Sequence, residues 1–99
     1  MPAVLHTIVF NAEAEASEVR QMARQAREVL TQIPGVQGLT FGQAVAREAR
    51  YRYLLVVTFE NEAVIPLYRD HPLHQAFANQ VFRPLAPDRI TTDYALEEV

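Results

Sequence analysis

Tyr51–Glu60 reads YRYLLVVTFE, and the placement of its apolar residues decides the fold. Aromatic and β-branched side chains dominate the segment, which is strand composition. A sheet covered on one side only alternates apolar with polar residues along each strand. This one does not: Tyr53, Leu55, Val57 and Phe59 point one way, while Leu54 and Val56 point the other. The opening strand, AVLHTIVF (Ala3–Phe10), repeats the pattern, with Val4, Ile8 and Phe10 opposed by Leu5 and Val9. Both faces of the sheet therefore demand apolar cover.

Between these strands the hydrophobic period changes. Val19, Met22, Ala23, Ala26, Leu30 and Ile33 recur at three- and four-residue steps, which predicts an amphipathic helix over Ser17–Ile33. Arg20, Gln21, Arg24, Gln25, Arg27 and Glu28 form its solvated face, and Ile33-Pro34-Gly35 ends it. A second strand follows in VQGLTFGQAVA (36–46), where Gly38 and Gly42 mark bulging or close backbone approach. REAR (Arg47–Arg50) is a charged turn. Asn61 caps a short helix through Tyr68, strained in its middle by Pro66, and Pro72 opens another that reaches Phe82 ahead of Pro84. RITTDYAL (Arg89–Leu96) closes the chain as a fourth strand. The order β-α-β-β-α-β is the ferredoxin-like α+β pattern, a four-stranded antiparallel sheet within a single domain, residues 1–99. Its helices shield one sheet face, so the other is expected to meet a second copy in a two-fold homodimer.

Composition removes several functions. Nine basic residues stand against twelve acidic ones, a net charge of −3, with no basic stripe for nucleic acid. Without cysteine there is no disulfide framework, thiolate nucleophile or Cys-based zinc site. The longest apolar run is too short to span a bilayer, and the first ten residues lack the basic n-region of a signal peptide, so a soluble cytoplasmic protein is expected, without nucleic-acid or membrane partners.

Chemistry concentrates in LYRDHPLHQAF, Leu67–Phe77. His74 lies inside the helix that Pro72 starts and is either a general base or a histidine bonded to nearby backbone. Tyr68 either donates its phenol proton to a developing oxyanion or buries its ring at a pocket rim. His6, on an otherwise apolar strand face, is either a satisfied core histidine or a pocket wall. His71 precedes proline and caps the following helix, while Asp70 favours the helix start through the dipole. Phe41, Phe59, Phe77 and Phe82 read as core, some with access to a ligand. Arg47, Arg50 and Arg52 read as a solvated hairpin, and Asp93 and Tyr94 carry no chemistry that the sequence assigns. A metal site on His71 and His74 lacks further ligands, and none is expected.

The ordered set VLHTIVF, IPGV, FGQ, YLLVVTFENEA, HPLHQAF, PL and DYAL resembles the stress-responsive α/β-barrel (Dabb) family over essentially the whole chain. The resemblance implies a dimeric α/β barrel. One member class, the plant polyketide cyclases, has a Tyr-x-x-His-Pro-x-His arrangement, matched here by YRDHPLH. It implies Tyr68 and His74 as the catalytic pair and His6 as a pocket residue. His71, Phe59 and Phe77 are taken beside them as candidate substrate contacts. A further pocket tyrosine of those cyclases has no counterpart near Ala26. The implied activity is a cofactor-independent, lyase-type cyclisation of a polyketone. Two alternatives stand beside it: a non-catalytic module for a small apolar ligand, and a cofactor-free or haem-type monooxygenase of a related dimeric barrel.

Overall fold

A computed structural model describes residues 2–99. The elements are β1 (Val4–Asn11), α1 (Ala16–Leu30), β2 (Val36–Gln43), β3 (Tyr53–Phe59), α2 (Val64–Asp70), α3 (Pro72–Phe77), a π-helical stretch (Ala78–Phe82), α4 (Arg83–Leu85) and β4 (Asp88–Ala95). One antiparallel sheet runs in the order β2-β3-β1-β4, so the two apolar strands occupy its centre. This is the ferredoxin-like fold expected from the periodicity.

Three local details differ from expectation. The first helix stops at Leu30, and Ile33 closes a tighter turn by donating its N–H to the Leu30 carbonyl at 3.1 Å. Pro34 disfavours a helical backbone at Ile33, which stays buried all the same. Pro66 causes no strain, because it falls in the first turn of α2, where a missing N–H removes no helical bond. Pro84 does not mark the end of the last helix. A π turn ends just before it, and the proline enters the first turn of a new short helix.

The glycines divide. Gly35 alone has a positive φ, +90°, and a Cβ there would stand 2.5 Å from a Val64 methyl. The β2–β3 register shifts between Val36 and Gly38, so the bulge expected at Gly38 is present, whereas Gly42 pairs regularly with Leu54. Arg52 holds the hairpin loop together, donating to the carbonyls of Ala44, Ala46 and Arg47.

On the covered face, Val19, Met22, Ala26 and Leu30 of α1 join Phe10, Leu55, Val57 and Phe59 in one core cluster. The opposite face carries Leu5, Val9, Leu54 and Val56, all half-buried, and Ile90 and Tyr94, which are 52% and 54% exposed. Two-sided apolar patterning therefore leaves one apolar face open on the single chain. Among the described residues, no helix is long and apolar enough to cross a membrane.

Candidate functional site

A cavity of about 320 Å³ lies between the β1–β4 half of the sheet and the helical region after β3. His6 reaches it because it shares the covered face with Val4 and Ile8. Strand register sets His6 opposite Asp93 of β4, and the His6 Nδ1 and Asp93 Oδ1 atoms lie 2.6 Å apart. A carboxylate only accepts, so Nδ1 carries the hydrogen of this bond. The His6 ring stacks on Phe59 with centroids 5.4 Å apart, and Tyr68 meets Phe59 at 4.8 Å.

Tyr68 and His74 close the opposite wall, their ring centroids 4.3 Å apart. Tyr68 follows Val64 by one helical turn, and both belong to the buried side of α2. Among the described residues its hydroxyl has no hydrogen-bond partner, yet it is not a sealed polar atom. The residue is only 3% exposed, and it lines the cavity. Burial, reinforced by the Asp93 charge, pushes the phenol well above its ordinary range. It is therefore a neutral donor at any working pH.

The backbone break at Pro72 fixes His74. The last carbonyls of a helix need outside donors, and the chain turns extended at His71, ahead of a proline without an N–H. The Arg69 carbonyl is satisfied by side chains instead: His74 Nδ1 at 3.0 Å and Gln75 Nε2 at 2.6 Å. A carbonyl cannot donate, so His74 bears its proton on Nδ1 and leaves Nε2 as a lone-pair acceptor. Burial lowers the pKa of His74 below its ordinary 6.5, opposed by the Arg69 carbonyl bond and assisted by the charges of His6 and Arg83. The ring is thus neutral at pH 7, as a general base must be.

Of the six residues singled out from sequence, His6, Phe59, Tyr68 and His74 share the cavity, and two do not line it. Phe77 is buried in the core. His71 turns its ring to the following helix, where Nδ1 accepts the Leu73 N–H at 3.1 Å. Sequence reasoning missed Arg69, Arg83, Arg89, Thr91 and Asp93 as cavity residues. Strict alternation in β4 puts Arg89, Thr91 and Asp93 on one face, but only the β1–β4 register reveals that this face is the cavity's. Ala78 and Phe82, the ends of the π-helical stretch, also line it, consistent with the habit of π turns to occur at functional sites. Among the described residues, no cluster of three or more His, Asp or Glu side chains is placed to hold a metal ion.

The family model described as Stress responsive A/B Barrel Domain (Dabb) matches residues 4–96. A Dabb-family protein with a ferredoxin-like fold from Mesorhizobium loti superposes with a TM-score of 0.84 at 23% identity, covering 99% of this chain and 100% of that one. A hydroxynitrile lyase from Passiflora edulis gives 0.83 at 15% identity, covering 99% and 96%. A cofactor-independent oxygenase from Streptomyces nogalater gives 0.81 at 12% identity, covering 100% and 97%. Further matches from Thermobifida fusca and Bacteroides fragilis are described as dimeric proteins of unknown function with ferredoxin-like folds. At these identities the likeness establishes the fold alone. No curated protein matches the sequence.

Proposed function

The chain belongs to the stress responsive A/B barrel (Dabb) family, and from that premise we propose that its cavity performs cofactor-independent acid–base chemistry on a small carbonyl compound. The observation that carries this reading is the juxtaposition of two groups of opposite proton character. His74 offers an unprotonated Nε2, and Tyr68 offers a phenol that does not ionise, 4.3 Å from ring to ring. Nε2 takes a proton from a carbon flanked by two carbonyls. The electron pair moves onto one carbonyl oxygen, and the Tyr68 hydroxyl donates to that enolate. In a polyketone the enolate carbon then attacks a second carbonyl of the same molecule, forming a carbon–carbon bond, and the resulting alkoxide recovers the proton from His74. His6, locked by Asp93, positions the substrate, and Phe59 supplies an apolar floor. A cofactor-independent oxygenase on the same fold supports a pocket chemistry without a cofactor, and a hydroxynitrile lyase on it supports a lyase-type reaction.

Exchange of the central methylene protons of benzoylacetone into D₂O, followed by NMR, tests the proposal. The protein should accelerate exchange. His74→Ala should lower that acceleration by ~10²–10⁴-fold, and Tyr68→Phe by roughly 10²-fold. Undiminished exchange in both variants sinks the mechanism. Binding of benzoylacetone without any accelerated exchange leaves the cavity as a binding module.

The same proposal includes a homodimer joined through the open face of Leu5, Val9, Leu54, Val56, Ile90 and Tyr94. Dimeric relatives of this fold support it. Light scattering should give about twice 11.2 kDa, and Val56→Asp should return a monomer. A monomeric wild type would contradict it.

A further inference from the structure

The cavity's charge runs against that of the chain. The protein is acidic, −3 overall, and all nine of its cationic side chains are arginine. Three of these, Arg69, Arg83 and Arg89, line the one cavity that also holds His6, Tyr68 and His74. Asp93 is the single carboxylate among the lining residues, and it is already bonded to His6. Arg69 is paired with Asp70 outside the cavity. Arg83 and Arg89 differ: among the described residues neither forms an ion pair. Arg83 donates one N–H to the Asn79 side chain, and Arg89 donates one to the Ala86 carbonyl at 2.9 Å. A guanidinium carries five donors in a planar fork, so each of the two keeps most of its donors for another acceptor. They approach from opposite walls, Arg83 from α4 and Arg89 from the face of β4 that also presents Thr91 and Asp93.

We propose that the ligand of this cavity is a small organic acid, its carboxylate held by Arg83 and Arg89 and its uncharged body laid against Phe59, Ile65 and Phe82. The volume suits this class, since 320 Å³ falls at the small end of ligand pockets. Guanidinium forks match the two oxygens of a carboxylate. This inference deepens the acid–base reading of the same site and rests on it only for the direction of the reacting carbonyl, toward Tyr68 and His74. In that setting a polyketo acid, its ketones free for the reaction, would be oriented by its charged end. The competing explanation is that the arginine stems merely cover apolar wall while their heads stay in water.

Benzoate and benzamide separate the two, being alike in shape and different in charge. NMR titration of the wild-type protein near pH 7 should show benzoate binding roughly tenfold more tightly than benzamide, as charge-assisted bonds at a partly exposed site imply. Both should shift the amide signals of cavity residues such as Ile65, Ala78 and Thr91. In Arg83→Gln/Arg89→Gln the preference should fall to about unity, with benzamide affinity unchanged, and Arg83→Lys should keep part of it. Should the double variant fail to fold, added sodium chloride on the wild type reads the same property, weakening benzoate and leaving benzamide alone. Equal binding of the two probes, or a benzoate preference indifferent to both salt and the double variant, overturns the anion assignment and leaves the cavity standing. If neither probe shifts the cavity amides, the anion assignment falls together with the small-molecule pocket.

Discussion

The covered face of the sheet has two halves, and they treat burial in opposite ways. Under α1, Val19, Met22, Ala26 and Leu30 meet Leu55 and Val57, and each is 4% exposed or less. Toward β4 the same face turns polar. Arg89, Thr91 and Asp93 replace aliphatic side chains, the covering helix breaks at Pro72 and widens into a π turn, and a hollow of about 320 Å³ remains. In the hollow half each imidazole is held by a partner of its own, His6 by Asp93 and His74 by the Arg69 carbonyl. The contrast divides the labour within one face: the half under α1 is close-packed core, and the other adds hydrogen bonds to ring packing around a hollow.

The largest effect that sharpens this contrast is a cavity cut into the filled half. Leu30→Ala should destabilise the protein by about 2–5 kcal/mol in urea unfolding, a large share of what a small domain possesses. His74→Ala should do far less, about 1 kcal/mol or below, because the Gln75 amide still satisfies the Arg69 carbonyl. Comparable losses in the two variants would show that the hollow half is ordinary core.

A smaller, pH-dependent effect follows from the same half. The pKa of His74 is lowered on folding, so between the ordinary 6.5 and the folded value the unfolded chain binds more protons. Stability from this group is therefore complete above pH 6.5 and is lost as pH falls through the folded value. If His74 is the base, the exchange rate should have its acid limb in the same place, below 6.5, since the protonated ring accepts nothing. Tyr68 is raised above its ordinary 10.0, so no alkaline fall should appear near that pH. An acid limb above 6.5 would mean that the ring is stabilised in its charged form, contrary to its burial.

Much of this was legible in the sequence, for a physical reason in each case. The two-sided apolar pattern of Tyr53–Phe59 announces a central strand, and the three-and-four spacing from Val19 to Leu30 announces a helix lying on it. Tyr68 and His74 are six residues apart, and the single break at Pro72 between them sets their meeting, so local sequence holds most of that geometry. Asp93 is different. It meets His6 across 87 residues, and no local signal contains that register. Arg83 and Arg89 look like ordinary surface charges until the fold brings α4 and β4 to the same hollow. His71 and Phe77 mislead by proximity: they neighbour His74 in sequence, but one ring turns to cap its helix and the other into the core. The π-helical stretch has no sequence signature to read.

Long-range proton–nitrogen NMR of the three imidazoles at pH 7 tests most directly whether the hollow holds a base ready to accept a proton. His74 should appear as the neutral ring with hydrogen on Nδ1 and a bare Nε2, and His71, whose Nδ1 accepts the Leu73 N–H, as the opposite tautomer. A His74 ring protonated on Nε2, alone or on both nitrogens, would contradict the account.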